Sequence, residues 1–547
     1  MKKTLALVLA LLLTITTFVT VSTAQALDEG EAATPGPENK VLRLSTFEPS
    51  TLDPQLTYDG WELDNVLLEG LIRVHEGKII PGIAKNWDIS EDGLTYTFNL
   101  KKSRWSDGKL VTAHDFEYSI LRLLNPATAA PYAYWGYIIQ NGMEYNTGSI
   151  TDVSLVGVKA LDDSTLEIKL NNPADYFLTL LGKTPFMPSR KDVVEANGEL
   201  YGTAPDKMAF NGPFLIKEWI NGEGMTLARN YRCISKNKVQ LKGIIYKFTY
   251  DVNQAADWFD NNEIDVLRFG SGIADRYKDS EAVKSIHTST ALYFDINTKG
   301  KSEESGKFLS NASFRKALGF AIDRKNICET TYKDVMAPLT RLVPGAISGL
   351  EDKYVLEKPY ELYSTNANID KAKELLAAAL KELNAAASDI PTIEILTFDS
   401  AYLSPITDSV KQMLFDNLGI NIQVVAVPFP EKMQLISEGK FDITLSGWGA
   451  DYDDPMSFLE IYEIGSYYNP TGWSNEEYDS LIKASKASNN EALRIENMFT
   501  AEKILLEAVP MIPLFNEGYK YITKENVYNM QYEDLTGMPD YIYVNIK

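Results

Sequence analysis

The sequence predicts an α/β protein of two lobes, and three observations predict it. The chain has 547 residues, more than one hydrophobic core holds, so two or three domains are expected. From Val41 to about Gly300 it is rich in short alternating apolar and polar runs, the signature of half-buried strands. From Thr392 onward strand runs and helical stripes take turns in a βαβαβ order, which implies right-handed crossovers and a largely parallel, doubly wound sheet. The cleft between the lobes is then the expected ligand site.

In the first lobe, Leu94–Leu100 and Thr165–Leu170 alternate strictly, and Gly212–Trp219 and Gly243–Tyr250 add further strands. One helix interrupts them. Thr112 and Asp115 form a capping box, followed by an apolar stripe of Phe116, Ile120, Leu123 and Leu124. In the second lobe Asn368 caps a helix with the stripe Ala372, Leu375, Leu376, Ala379 and Leu383. Thr392–Phe398 is a strand, Thr407–Leu418 a helix stopped by Gly419, and Ile420–Val427 a strand. A short helix from Glu431 and a strand at Phe441–Leu445 follow. Ser474 and Glu477 read as a second capping box, and Glu491–Ala508 as a long helix ending before Pro510. No repeat at solenoid spacing is present.

Composition narrows the function classes. The 53 basic and 75 acidic residues give a net charge of −22, which excludes the basic surface that nucleic-acid binding needs. The first 26 residues have the form of a secretory signal: Lys2 and Lys3, an apolar Leu5–Leu13, and Ala24-Gln25-Ala26 as a cleavage site. Thr14, Thr16, Thr17 and Thr20 dilute the apolar run, which favours cleavage over anchoring. Residues 27–39, acidic and rich in Ala, Pro and Gly, read as a flexible linker. The only cysteines are Cys233 and Cys328, so the cleavage site offers none for a lipid anchor. An exported protein, periplasmic or extracellular, is expected.

Catalytic patterns are scarce. His75, His114 and His287 are far apart and without metal-ligand spacing, and no metal or other cofactor is expected. No G-x-S-x-G elbow occurs, and the S-x-x-K at Ser313–Lys316 stands without a K-T-G. Asp451, Asp453 and Asp454 lack the glycine and glutamate of a calcium loop, and Asp453 and Asp454 read as a solvated, capping turn. Asp451 is different. It arrives just past the strand Phe441–Leu445, after Ser446-Gly447-Trp448-Gly449-Ala450, at the kind of sheet edge where αβ proteins bind ligands. A fixed carboxylate beside an indole suits an ammonium group. Pro131–Tyr137 is the densest aromatic run and reads mainly as packing.

The chain resembles the oligopeptide- and dipeptide-binding family of solute-binding proteins that feed ATP-driven importers. The matching segments are Leu52-Asp53-Pro54, Leu68–Leu71, Pro81–Trp87, Leu94–Phe98, Trp105–Gly108, Thr112–Phe116, Asn211–Phe214, Phe314–Ala317, Ala321–Arg324 and Trp448–Pro455. The resemblance implies a two-lobed periplasmic-binding-protein-like fold (type II), with two hinge crossings near Phe294–Thr298 and Pro513–Asn516. Lobe I would comprise residues 40–75, 205–296 and 516–547, with an inserted subdomain at 76–204, and lobe II residues 297–515. It implies no catalysis. The peptide would lie extended and pair as an added strand while the lobes close on it. Asp451 would take the peptide α-ammonium, and Gly447, Trp448 and Gly449 would flank the peptide. Gly60 and Trp61 would face it from the first lobe, and Tyr132 would stand near its amino end. The partners implied are the peptide and the permease and ATPase of an ABC transporter, with the receptor itself a monomer.

The same fold could instead hold an oligosaccharide, haem or a metal chelate, and a secreted hydrolase is a more distant alternative. Relatives carry an arginine in the strand before the Gly-Trp that helps hold the carboxylate of short peptides. This chain has Leu445 in that strand and no basic residue from 442 to 449, which leaves the peptide's other end without a partner. Cys233 and Cys328 would fall in different lobes, so a bond between them would tether the hinge.

Overall fold

The computed structural model describes residues 40–58, 61–533, 535 and 537–547, and of Trp61 only its place in a helix. The expected signal and linker, and Gly60, lie outside the described residues.

Among the described residues, eleven strands form one sheet. In chain order they are β1 (Val41–Thr46), β2 (Phe214–Ile220), β3 (Gly224–Arg229), β4 (Gly243–Phe248), β5 (Val266–Phe269), β6 (Lys284–Ile296), β7 (Ala337–Pro338), β8 (Ile393–Phe398), β9 (Ile422–Val427), β10 (Ile443–Trp448) and β11 (Met511–Thr523). Their spatial order is β2-β3-β4-β1-β5-β11-β6-β10-β8-β9, with β7 on β11. The two halves of the chain therefore share a sheet. The 13-residue strands β6 and β11 carry it across, paired antiparallel from Lys284–Tyr521 to Asp295–Met511. Their ladder shifts register between His287 and Ala291, where the Asn516 amide donates to the carbonyls of Thr288 at 2.7 Å and Thr290 at 3.0 Å. The side chain there satisfies carbonyls that the broken ladder leaves free.

The predicted strands of the first half appear as Thr95–Leu100 and Thr165–Lys169, the middle pair of a four-stranded antiparallel sheet closed by Ala84–Ile89 and Val158–Asp162. Helix α1 (Ala113–Leu124) packs against it with Phe116, Ile120, Leu123 and Leu124 buried, and its capping box at Thr112 and Asp115 is formed.

In the second half β9, β8 and β10 are mutually parallel, as the βαβαβ order requires, but β10 then meets β6 antiparallel, so the whole sheet is mixed. Helix α2 (Ile369–Glu382) is capped by Asn368 and buries Ala372, Leu376 and Ala379. Helix α3 (Ser404–Leu418) starts three residues before the expected Thr407, because Pro405 sits in its first turn, where the missing N–H costs nothing. Its Ile406, Val410 and Leu414 are buried, each contributing about 1.5–3 kcal/mol. It ends at Gly419 in the left-handed region (φ 70°).

Helix α4 (Phe429–Ser437) starts two residues before Glu431, again on a proline in the first turn. Helix α5 (Glu476–Ala487) is capped by Asn475 rather than Ser474, since the Asn475 side chain is the one that accepts from Tyr478 N at 2.9 Å. Helix α6 (Glu491–Ala508) has the predicted bounds. Its last carbonyls, which have no partner within the helix, are taken by the buried Arg315: Nε donates to Val509 O at 2.7 Å and Nη2 to Ala508 O at 2.6 Å. Cys233 and Cys328 are both buried free thiols, so no disulfide spans the halves.

Candidate functional site

The strand expected to stop at Leu445 continues to Trp448. Leu445, Ser446, Gly447 and Trp448 pair with Phe294, Tyr293, Leu292 and Ala291 of β6. Gly447 allows this close packing, because a Cβ there would stand 2.9 Å from the Leu292 side chain. On its other edge β10 meets β8 only at Ile443 and Thr444. From Leu445 to Trp448 that edge has no strand partner among the described residues. It opens on a cavity of about 920 Å³, within the size range of small-ligand sites.

Phe398, Phe429, Met433 and Ile436 give this cavity an apolar wall, and Lys432 and Asp295 are its buried charged groups. Lys432 Nζ donates to Leu445 O at 2.6 Å, and burial pulls its ammonium down to about 8 against the opposing charge of Asp295. Burial pushes the Asp295 carboxyl up to about 6, even though Tyr462 Oη donates to it at 2.7 Å.

The cavity is drawn wholly from residues 290–472, with none of its lining earlier in the chain than Thr290. The first half enters at the Asp451 end. A neighbouring cavity of about 380 Å³ is lined by Asp451, Tyr134 and Glu460, and it shares Trp448, Tyr467 and Tyr468 with the larger one. Trp448 meets Tyr468 edge to face at 5.0 Å, and Tyr467 is 83% exposed. The three rings thus line both cavities.

Asp451 is held at both ends. Its N–H donates to Ser457 Oγ at 2.8 Å, and its Oδ1 accepts from Tyr134 Oη at 3.1 Å. Burial pushes its carboxyl above the ordinary range, while the Trp135 side chain, the Lys183 charge and the Tyr134 hydroxyl act the other way. Lys183 lies 4.9 Å over the Trp135 ring and donates to Ala450 O at 3.1 Å. Burial lowers its ammonium to about 8, against the pull of Asp451 and Asp453. A desolvated carboxylate with mostly neutral donors and a weakened cation beside it is well suited to an incoming ammonium.

Of the residues expected from the sequence, Gly447, Trp448 and Gly449 line the large cavity and Asp451 the adjoining one. Tyr132 stacks on Trp135 at 4.5 Å, and its phenol is raised by burial and by Asp451. The hydroxyl hydrogen-bonded to Asp451, however, is that of Tyr134. The side chain of Trp61, like Gly60, lies outside the described residues. Asp454 is not solvated as expected: it is buried and pairs with Arg494 at 2.9 Å while accepting from Met456 N at 2.9 Å. Asp453 accepts from Ser348 N at 2.8 Å and from its hydroxyl at 2.7 Å. Among the described residues no cluster of three or more His, Cys, Asp or Glu could hold a metal ion, and no helix is long and apolar enough to cross a membrane.

Comparison with known proteins gives a consistent result. The sequence profile of the bacterial extracellular solute-binding proteins, family 5 (middle part), matches residues 78–469. The oligopeptide-binding protein OppA of Bacillus subtilis is 30% identical over 513 residues, covering 91% of each chain. The dipeptide-binding protein DppE of the same organism is 29% identical over 495 residues, covering 89% of each. The structure of Listeria monocytogenes OppA bound to peptide superposes with a TM-score of 0.73 at 28% identity, covering 93% of this chain and 99% of that one. With a profile match over most of its length and full-length relatives in sequence and structure, the chain belongs to family 5 of the bacterial extracellular solute-binding proteins.

Proposed function

We propose that this protein is a non-catalytic receptor that captures peptides outside the cytoplasmic membrane and delivers them to the permease and ATPase of an ABC importer. The observation that carries the reading is the unpartnered edge of β10, Leu445–Trp448, facing a ligand-sized cavity with Asp451 beyond its end. An extended peptide pairs with such an edge through its backbone, which gives affinity without reading side chains. Asp451 then takes the α-ammonium, with Gly447, Trp448 and Gly449 along the peptide and Tyr132 near its amino end. The relatives named above, an oligopeptide-binding and a dipeptide-binding protein, support peptide as the cargo. The receptor acts as a monomer after removal of residues 1–26. Residues 40–75, 205–296 and 516–547 form one lobe, 76–204 its inserted subdomain and 297–515 the other, joined through β6 and β11.

The test is calorimetric titration with matched free-amine and N-acetylated peptides. Asp451→Ala weakens the free-amine peptides by about 3–5 kcal/mol and leaves the acetylated ones unchanged, because only the former lose a desolvated charge pair. Equal binding of both peptide classes by the unaltered protein overturns the role of Asp451. A thermal shift with oligosaccharides, haem or metal chelates and none with peptides overturns the peptide reading itself.

A further inference from the structure

We infer that the large cavity is the subsite for a carboxylate of the bound ligand, and that Lys432 is the residue that receives it. The inference rests on the peptide reading above and adds the far end of the ligand to it.

Lys432 comes from α4 and is 5% exposed, yet it lines the cavity. Its ammonium has three N–H groups. One donates to Leu445 O, at the start of the free edge of β10. Among the described residues the ammonium forms no ion pair within 4.0 Å. Asp295 shares the cavity floor and acts on it at longer range, with its own carboxyl bonded by Tyr462. A buried ammonium with one carbonyl partner, and the face of the Phe398 ring 5.8 Å away, is an expensive arrangement unless something completes it.

The surroundings select what can complete it. Phe398, Phe429 and Met433 wall the cavity, so a charge arriving there is desolvated and gains from meeting a fixed cation. Lys299, the cavity's other cation, is exposed and therefore screened. Leu445 and Asp451 are six positions apart, at most ~22 Å of extended chain, so one short peptide reaches from Asp451 along the edge to Lys432. The carboxylate is either the peptide's own terminus or an acidic side chain; both present the same group.

The experiment measures Kd for two peptide pairs, each with a free amino end. One pair compares a neutral peptide as the free acid with its C-terminal amide. The other compares a glutamate with a glutamine in an amidated peptide. The unaltered protein prefers the carboxylate member of at least one pair by about 10- to 100-fold, the range for a charge-assisted bond. In Lys432→Met that ratio falls to within about twofold of unity while the uncharged member binds as before, and the pair affected identifies the source. Lys432→Gln, which can still donate to Leu445 O, gives the same loss of ratio. It separates a lost charge from a loosened α4 should the methionine variant be unstable. Ratios kept in both variants, or no carboxylate preference in the unaltered protein, overturn the subsite and leave peptide capture standing. Absence of binding by all four peptides overturns both.

Discussion

The hydroxyl of Tyr134 donates to Oδ1 of Asp451 at 3.1 Å, joining residues 317 positions apart. It supplies one bond to a carboxylate that burial would otherwise push further towards its neutral form. Tyr134→Phe therefore weakens free-amine peptides by about 1.5–3 kcal/mol, the worth of a bond to a charged group. N-acetylated peptides are unaffected. Titration of both classes against the variant checks this, and an equal loss in both would assign Tyr134 to general packing.

Asp451 also sets an acid limit. Its carboxyl is raised in the ligand-free protein, chiefly by burial, with Glu460 adding to the rise and Trp135, Lys183 and Tyr134 opposing it. A ligand ammonium binds the ionised form. Binding is thus complete above the raised pKa and is lost as pH falls through it, starting above the range of an ordinary aspartate. Lys183→Met removes a charge that favours ionisation, so the acid limb of the Kd–pH profile moves to higher pH. A limb that stays in place or moves lower contradicts this role for Lys183.

The buried pair of Asp454 and Arg494 is a matter of stability. Their side chains are 8% and 4% exposed, and the pair ties the turn after Asp451 to α6. Asp454→Ala leaves a buried guanidinium without its counter-charge and costs about 3–5 kcal/mol. The double variant Asp454→Leu with Arg494→Met recovers much of that loss, because no uncompensated charge remains. Urea unfolding of the two variants and the unaltered protein checks both statements.

Helices with strong local signals were legible in the sequence. Capping by Thr112 and Asn368, the stop at Gly419 and the bounds of α6 all rest on residues within one turn of each other. Where two capping residues stand side by side, the S-x-x-E pattern pointed to Ser474, while the structure caps the helix with Asn475. Asp451, Gly447, Trp448 and Gly449 were legible because they share one strand end. Tyr134 stood in a noted aromatic run, but nothing local told its hydroxyl from that of Tyr132. Lys183 and Lys432 gave no signal. Each is an ordinary lysine in sequence, and its burial depends on elements distant along the chain. The extension of β10 to Trp448 was hidden for the same reason: its partner, β6, lies some 150 residues earlier.

The shared sheet has a practical consequence. β10 is bonded along its paired edge to β6, and β6 to β11, the two strands that cross between the halves. A ligand strand laid on the free edge of β10 would extend that same ladder by one rung set. Amide hydrogens of β6 around the register shift at His287–Ala291 would then exchange more slowly with deuterated solvent when cargo is aboard. Occupancy could be timed at the crossing itself, with no label on either molecule.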